Sequence, residues 1–218
     1  QDQGHADRWT LAPGVPPPEP ESLRRESLAA ALRFGDGAAR AQLYVWLLSA
    51  GLSDALLDAD APDVASFLEK LAAAPVRDSA AAVGHRDLLW RLYVRRERHA
   101  DAARVLEALA GADDVRLPLA GRIERLSRAV VHARAAGDAA DAQRLEDRVD
   151  VARIQQRVVA EARTDLGPVA DVALLEEGAL LSISALFNEY ARPLGLHVSA
   201  LCIVHTSSHA DAPLVHAL

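Results

Sequence analysis

From Ser22 onward the chain carries one signal over and over: apolar residues at helical spacing, cut at short intervals by Gly, Pro or Asp, with almost no strand-like alternation. A chain that cannot pair strands must bury its apolar faces helix against helix. The fold class is therefore all-α, with roughly ten helices joined by short connections. Several helices carry apolar residues on two flanks, as inner layers of a stack require, and no repeat of fixed length is visible. The expected architecture is an irregular α-solenoid of stacked antiparallel helix pairs.

The punctuation places the helices. A first runs from Ser22 to Phe34 and stops at Gly35 and Gly37; a second covers 38–50, with Leu43, Trp46, Leu47 and Ala50 as its inward stripe. Short helices follow at Ser53 to Leu57 and Pro62 to Ala73, the latter burying Val64, Phe67, Leu68 and Leu71. Asp87 to Glu97 and Ala100 to Leu109 form a hairpin broken at Arg98 and His99. The next helix, carrying Leu119, Ile123, Leu126 and Val130, ends at Ala136, where Gly137 terminates it and Asp138 caps a long helix to Arg163. A helix with Leu180, Ile183, Leu186, Phe187 and Tyr190 reaches Pro193, and the last full one spans Leu196 to Ser207. Asp211 and Pro213 read as the start of another helix, and the chain is expected to be a fragment of a longer protein.

Two segments are expected: a Pro-rich arm or linker over residues 1–21, and a solenoid over 22–218, truncated within its next helix. The net charge of −7 argues against a phosphate-neutralising surface, so direct nucleic-acid binding is not expected. The purest apolar stretch, Val198 to Val204, is far too short to cross a bilayer. With Cys202 the only cysteine, no internal disulfide can form, and a reducing, intracellular compartment is the simpler expectation.

Chemistry-bearing residues are sparse. Cys202, His205 and His209 lie at i, i+3 and i+7, a spacing that suits zinc, but the fourth ligand must come from Asp211 or His216 folding back, and packing accounts for the set better. His85 with Asp87, or His132 with Asp138, beside Ser79 or Ser127, are solitary pairs without a G-x-S-x-G elbow, and no Gly-rich phosphate loop is present. No catalytic, cofactor-binding or metal residue is assigned, and the chain is not expected to be an enzyme. Arg91, Arg95, Arg96 and Arg98 around Tyr93 form the densest basic run, read as a solvated face, with an acidic peptide as its functional alternative. Trp46 and Trp90 are assigned to core packing, and Trp9, in the arm, is the aromatic best placed to dock elsewhere.

Several ordered motifs resemble one family. D-L-L-W-R-L-Y at Asp87 to Tyr93, A-D-A-A-R-V-L-E-A-L-A at Ala100 to Ala110, R-I-E-R-L-S-R-A at Arg122 to Ala129, L-E-D-R-V-D-V-A-R-I-Q at Leu145 to Gln155 and L-F-N-E-Y-A-R-P-L-G-L at Leu186 to Leu196 are similar to the C-terminal solenoid of the large inner-ring scaffold nucleoporin, nucleoporin one-fifty-five in animals and one-seventy in fungi. L-Y-V-W-L-L-S-A-G-L-S-D-A-L-L at Leu43 to Leu57 and L-C-I-V-H-T-S-S-H-A-D at Leu201 to Asp211 fit as well, the latter explaining Cys202 and its histidines without a metal. The resemblance runs from about Ala41 to the end, and does not cover residues 1–20 or Arg163 to Gly178.

The resemblance implies a structural component of the inner ring of the nuclear pore complex, at the nuclear envelope, supporting nucleocytoplasmic transport. Its partners are then other nucleoporins, both inner-ring scaffold and disordered linker nucleoporins, with no cofactor and no small-molecule substrate. The solenoid offers grooves into which partner segments insert apolar anchors. Which residues bind is not assigned, because groove-facing apolar residues look like core in one dimension. A helical-repeat adaptor of a vesicle-coat or tethering complex is the alternative; a tetratricopeptide adaptor lacks its repeat, and a small helical enzyme needs a polar pocket.

Overall fold

The computed structural model describes residues 20–34, 36–59, 61–75, 78–166 and 170–207. Every regular element among them is helical: α1 (Pro20–Phe34), α2 (Gly37–Ser49), α3 (Ser53–Leu57), α4 (Val64–Ala73), α5 (Ser79–Arg95), α6 (His99–Ala110), α7 (Leu119–Ala135), α8 (Ala139–Leu166), α9 (Ala170–Glu177), α10 (Ile183–Ala185), a π-helical turn (Leu186–Ala191) and α11 (His197–Thr206). The chain divides into two compact units, residues 1–64 and 65–218. Of the arm expected over residues 1–21, residues 1–19, with Trp9, lie outside the described residues, and Pro20 and Glu21 belong to α1; the helix expected after Asp211 also lies outside them.

In the first unit α1 opens on Pro20, two residues earlier than expected, because the first turn of a helix leaves its amides unbonded anyway. Gly37 does not end α1 but begins α2, whose cap is Asp36: its Oδ1 accepts the Ala39 amide at 2.7 Å. The inward stripe of α2 also differs from the expected one. Tyr44 and Leu47 are buried, while Trp46 is 56% exposed, with Val45 and Leu52 exposed beside it. A polar anchor explains the rotation: the Tyr44 hydroxyl donates to Asp63 Oδ1 at 2.7 Å, and Arg40 Nε donates to Oδ2 at 2.9 Å. Burial first, then the bond to the Asp63 carboxylate, push the Tyr44 phenol well above its usual range, with Arg40 acting in the opposite direction.

The second unit is a succession in which α5 packs on α6, α6 on α7 and α7 on α8, as a helical solenoid requires. α5 starts eight residues before the expected Asp87, at the Asp78 cap, whose Oδ1 accepts the Ala80 amide. Its first turns are mostly alanine, which forms helix strongly but writes no amphipathic period. α8 is shared between two cores. Its first half contributes Ala142, Leu145 and Val149 to a cluster with Leu106, Leu126 and Ala129. Its second half contributes Val158, Val159 and Ala162 to another with Leu175, Leu186 and Ile203.

The same terminator recurs at helix ends. After α2, α5, α7 and the π turn, one residue takes a left-handed φ: Gly51 at 72°, Glu97 at 56°, Gly137 at 79° and Gly195 at 68°. At each, the next amide reaches back five residues: Leu52 to the Leu47 carbonyl, Arg98 to Tyr93, Asp138 to Ala133 and Leu196 to Ala191. Three of the four positions use glycine, and Glu97 alone carries a Cβ there.

Irregular segments are held by buried polar side chains from the long helices. Arg122 of α7, only 2% exposed, donates from Nε to Leu117 O (3.0 Å), from Nη1 to Ala110 O (2.7 Å) and Ala112 O (2.8 Å), and from Nη2 to Val115 O (3.4 Å). Gln155 of α8, fully buried, donates to Leu175 O and Ala179 O and accepts the Leu181 amide. This bond set keeps 179–181 out of helical geometry, so the expected helix from Leu180 begins only at Ile183, capped by Ser182. Glu161, also of α8, accepts the Val198 amide at 3.0 Å and the Ser199 amide at 2.7 Å, and so caps α11 from another helix. α9 lies in the stretch without a sequence assignment; among its described side chains Val172 and Leu175 are buried.

The left-handed positions give a direct test. Glu97→Gly is expected to raise the unfolding free energy by about 1 kcal/mol, and Gly137→Ala to lower it by about 1 kcal/mol, in denaturant titrations. A Cβ at Gly137 meets no atom within 4 Å, so its loss is backbone strain alone.

Candidate functional site

The residues singled out for chemistry are mostly occupied in structure. Asp87 accepts the Trp90 indole N–H at 2.9 Å and Arg125 Nη2 at 2.8 Å. His85 stands two residues away, a spacing that does not place side chains on one helix face, and its Nδ1 is buried without a partner. Ser79 Oγ accepts the Arg116 amide. Asp138 caps α8 through the Asp141 amide at 2.9 Å and is not the partner of His132. These groups share no geometry for nucleophilic catalysis.

His132 pairs instead with His99. Their Nδ1 atoms are 3.2 Å apart, and the rings are nearly parallel at 10° with centroids 5.3 Å apart. One Nδ1 must carry the hydrogen that the other accepts, so two imidazolium rings cannot share this contact. Burial first, then the neighbouring His99 and Arg128, hold His132 below the ordinary histidine value.

Cys202 is partly buried on α11, and its sulfur accepts from Arg157 Nη1 at 3.1 Å. His205 is exposed on the same helix, whereas His209, Asp211 and His216 lie outside the described residues. Among the described residues no three His, Cys, Asp or Glu are grouped to hold a metal ion, and no helix is long and apolar enough to cross a membrane. In the basic run, Arg98 pairs with Asp101 and lies over the Tyr93 ring at 4.4 Å from its centroid. The Tyr93 hydroxyl donates to Glu69 at 2.6 Å, and burial together with that bond raises its pKa to about 12.

An apolar groove of 180 Å³ lies between the π turn and α11. Ile183 and Phe187, four residues apart on one face, form one wall; Ile203 and Val204 form the other, with Ser184, Asn188 and Ser207 at the rim. The π turn, in which the Arg192 amide reaches the Phe187 carbonyl five residues back at 3.0 Å, is wider than an α turn. The opposite wall is fixed by the Glu161 cap on α11. The outer side of α11 adds Val198, 55% exposed, and Leu201, 45% exposed. Sequence reasoning counted Ile183, Phe187 and the apolar part of α11 as helix interior, since in one dimension a groove wall and a core residue carry the same letter.

A family model for the non-repetitive/WGA-negative nucleoporin C-terminal region matches residues 5–218. The Drosophila melanogaster nuclear pore complex protein Nup154 is 30% identical over 200 residues, 88% of this chain and 14% of that protein. Nucleoporin NUP170 of Saccharomyces cerevisiae is 30% identical over 206 residues, 89% of this chain and 13% of its own. The chain thus spans about a seventh of the length of these relatives. Among solved structures, the Chaetomium thermophilum Nup170 CTD in its Nup145N complex superposes with a TM-score of 0.75 at 25% identity, covering 88% of this chain and 39% of that one. The Nup170 CTD by itself gives 0.74 at 25% identity, covering 91% and 37%.

The histidine pair sets a pH dependence. With His132 depressed in the folded state, its contribution is fully present above the ordinary value of 6.5 and is lost as the pH falls from there toward the folded value, because the unfolded chain takes the proton first. Thermal melts on descending from neutral pH through that window should show a declining Tm, and His132→Gln should flatten the decline.

Proposed function

Because this chain belongs to the non-repetitive/WGA-negative nucleoporin C-terminal family, we propose that it is a piece of an inner-ring scaffold nucleoporin, working at the nuclear envelope within the nuclear pore complex. Its role is binding without turnover: a helical stack that holds neighbouring and linker nucleoporins in place and so supports nucleocytoplasmic transport. The observation that carries the reading is the family match over residues 5–218. The same-fold Nup170 CTD, solved in complex with Nup145N, supports nucleoporins as partners.

The apolar groove supplies the physics. A pocket of 180 Å³ admits one large aliphatic or aromatic side chain, and the Ser184, Asn188 and Ser207 rim offers donors and acceptors to the main chain on either side of it. A disordered partner loses conformational entropy on docking, so each anchor contributes only modestly, and a preformed pocket limits the further cost of reorganisation. Linker segments bound at several such grooves tether large assemblies by raising the effective concentration of the remaining contacts.

A pull-down with the chain from a nuclear-envelope extract, read by mass spectrometry, is expected to enrich inner-ring and linker nucleoporins. Ile183→Asp, which places a charge in the groove wall while leaving the Gln155 and Glu161 bonds in place, should lower that enrichment by about tenfold. Recovery of vesicle-coat or tethering subunits without nucleoporins would overturn the reading.

A further inference from the structure

α1 is lightly tied into its unit. Of the side chains described between Glu26 and Arg33, Leu32 is buried and Leu28 half-buried; the rest are exposed. A cleft of 950 Å³ lies beside the helix, lined by Leu28, Leu32 and Arg33 of α1, by Arg40 of α2, and by Asp54 and the capping Asp58 of α3. A 15-residue helix is near the length at which isolated helices are marginal in water, and one that buries so little draws its stability from few contacts. Local unwinding of α1 is therefore cheap.

An exposed hydroxyl in the middle of this helix has a specific sequence setting. Ser27 follows Arg24 and Arg25 and directly precedes Leu28, in the run R-R-E-S-L. Arginine three and two residues before a serine, with a large apolar residue after it, is a charge pattern that suits a kinase whose substrate groove is acidic. Each guanidinium fork meets a groove carboxylate, and the apolar side chain fills a pocket beside the reacting hydroxyl. Of all the serines and threonines in the chain, Ser27 alone has arginine at both of those preceding positions. Ser127 shows the contrast. It has one arginine, Arg125, two residues before it, and it is half-buried in α7, whose Leu126, Ala129 and Val130 belong to the core. Charge pattern, exposure and a lightly held helix coincide at Ser27.

We propose that Ser27 is a phosphorylation site for a protein kinase with an acidic substrate groove. α1 unwinds around the serine, because the groove takes its substrate as an extended segment. Ser27 Oγ attacks the γ-phosphorus of magnesium-bound ATP, the bond from that phosphorus to the bridging oxygen breaks, and ADP leaves with the electron pair. The hydroxyl proton passes to the catalytic aspartate of the kinase. The product brings a charge of about −1.5 to −2 and three strong acceptor oxygens to an exposed flank that was neutral at this position. The site is independent of the apolar groove and its partners, since Ser27 lies in the first unit and the groove in the second.

The full 218-residue chain, incubated with ATP and the catalytic subunit of cyclic-AMP-dependent protein kinase and mapped by mass spectrometry, tests the site. About one phosphate per chain is expected at Ser27, with none there in Ser27→Ala and an initial rate at least about tenfold lower in the Arg24→Ala/Arg25→Ala double variant. Ser127→Ala should be labelled as the parent is, and circular dichroism verifies that each variant keeps the parent's helical content. Labelling of Ser127 as fast as Ser27 would show the kinase acting on a globally unfolded chain and overturn the site. So would a folded chain left unlabelled while a synthetic peptide of residues 20–34 accepts phosphate, absence of labelling in both, or a rate indifferent to the two arginines.

Discussion

The second unit depends on a positive charge buried among carbonyl groups. Arg122 is removed from water, and its four hydrogen bonds all go to backbone oxygens between Ala110 and Leu117. Burial lowers its pKa, with the charge of Asp113 acting in the opposite direction. Carbonyl dipoles replace the lost hydration, and in return the guanidinium fixes where α6 stops and α7 starts. Removing it strands several buried acceptors at once, at a cost on the order of 3 to 5 kcal/mol, against a typical total stability of about 5 to 15.

The device is repeated with different chemistry. Gln155 uses both ends of one amide to shape the chain between α9 and α10, and Glu161 provides α11 with the cap that its own Leu196 lacks. In each case a long helix, made rigid by two-sided packing, reaches across to satisfy backbone groups that no neighbouring turn can pair. The consequence for function is preorganisation. α11, one wall of the apolar groove, is capped from α8, the segment 179–181 that leads to the other wall is held from α8 as well, and α5 and α7 are tied together by Asp87 and Arg125.

Periodicity and punctuation were enough to read the helical class and the major elements, because Gly137, Asp138 and Pro193 mark real ends and a helix such as α7 writes a clear pattern. They misplaced the start of α5, where alanine hides the period, and the face of α2, where one buried tyrosine–aspartate bond outweighs a tryptophan's preference for the interior. The groove was illegible for a different reason: whether Phe187 faces core or solvent is decided by a π turn that no local residue preference announces. Two motifs that carried the family resemblance, at Arg122 to Ala129 and Leu145 to Gln155, turn out to hold two of the three clamps. Residues singled out by their letters alone, such as Cys202 and His85, proved less informative than residues embedded in those motifs.

The most direct test of this account is amide hydrogen exchange on the parent chain and on Arg122→Lys, which keeps the charge and removes the fork. The clamp account predicts faster exchange concentrated in the amides of Gly111, Ala112 and Arg116, with α8 and the hairpin of α5 and α6 protected as before. Unchanged exchange in that segment, or an equal increase across the whole unit, would contradict the claim that Arg122 locally specifies the connection.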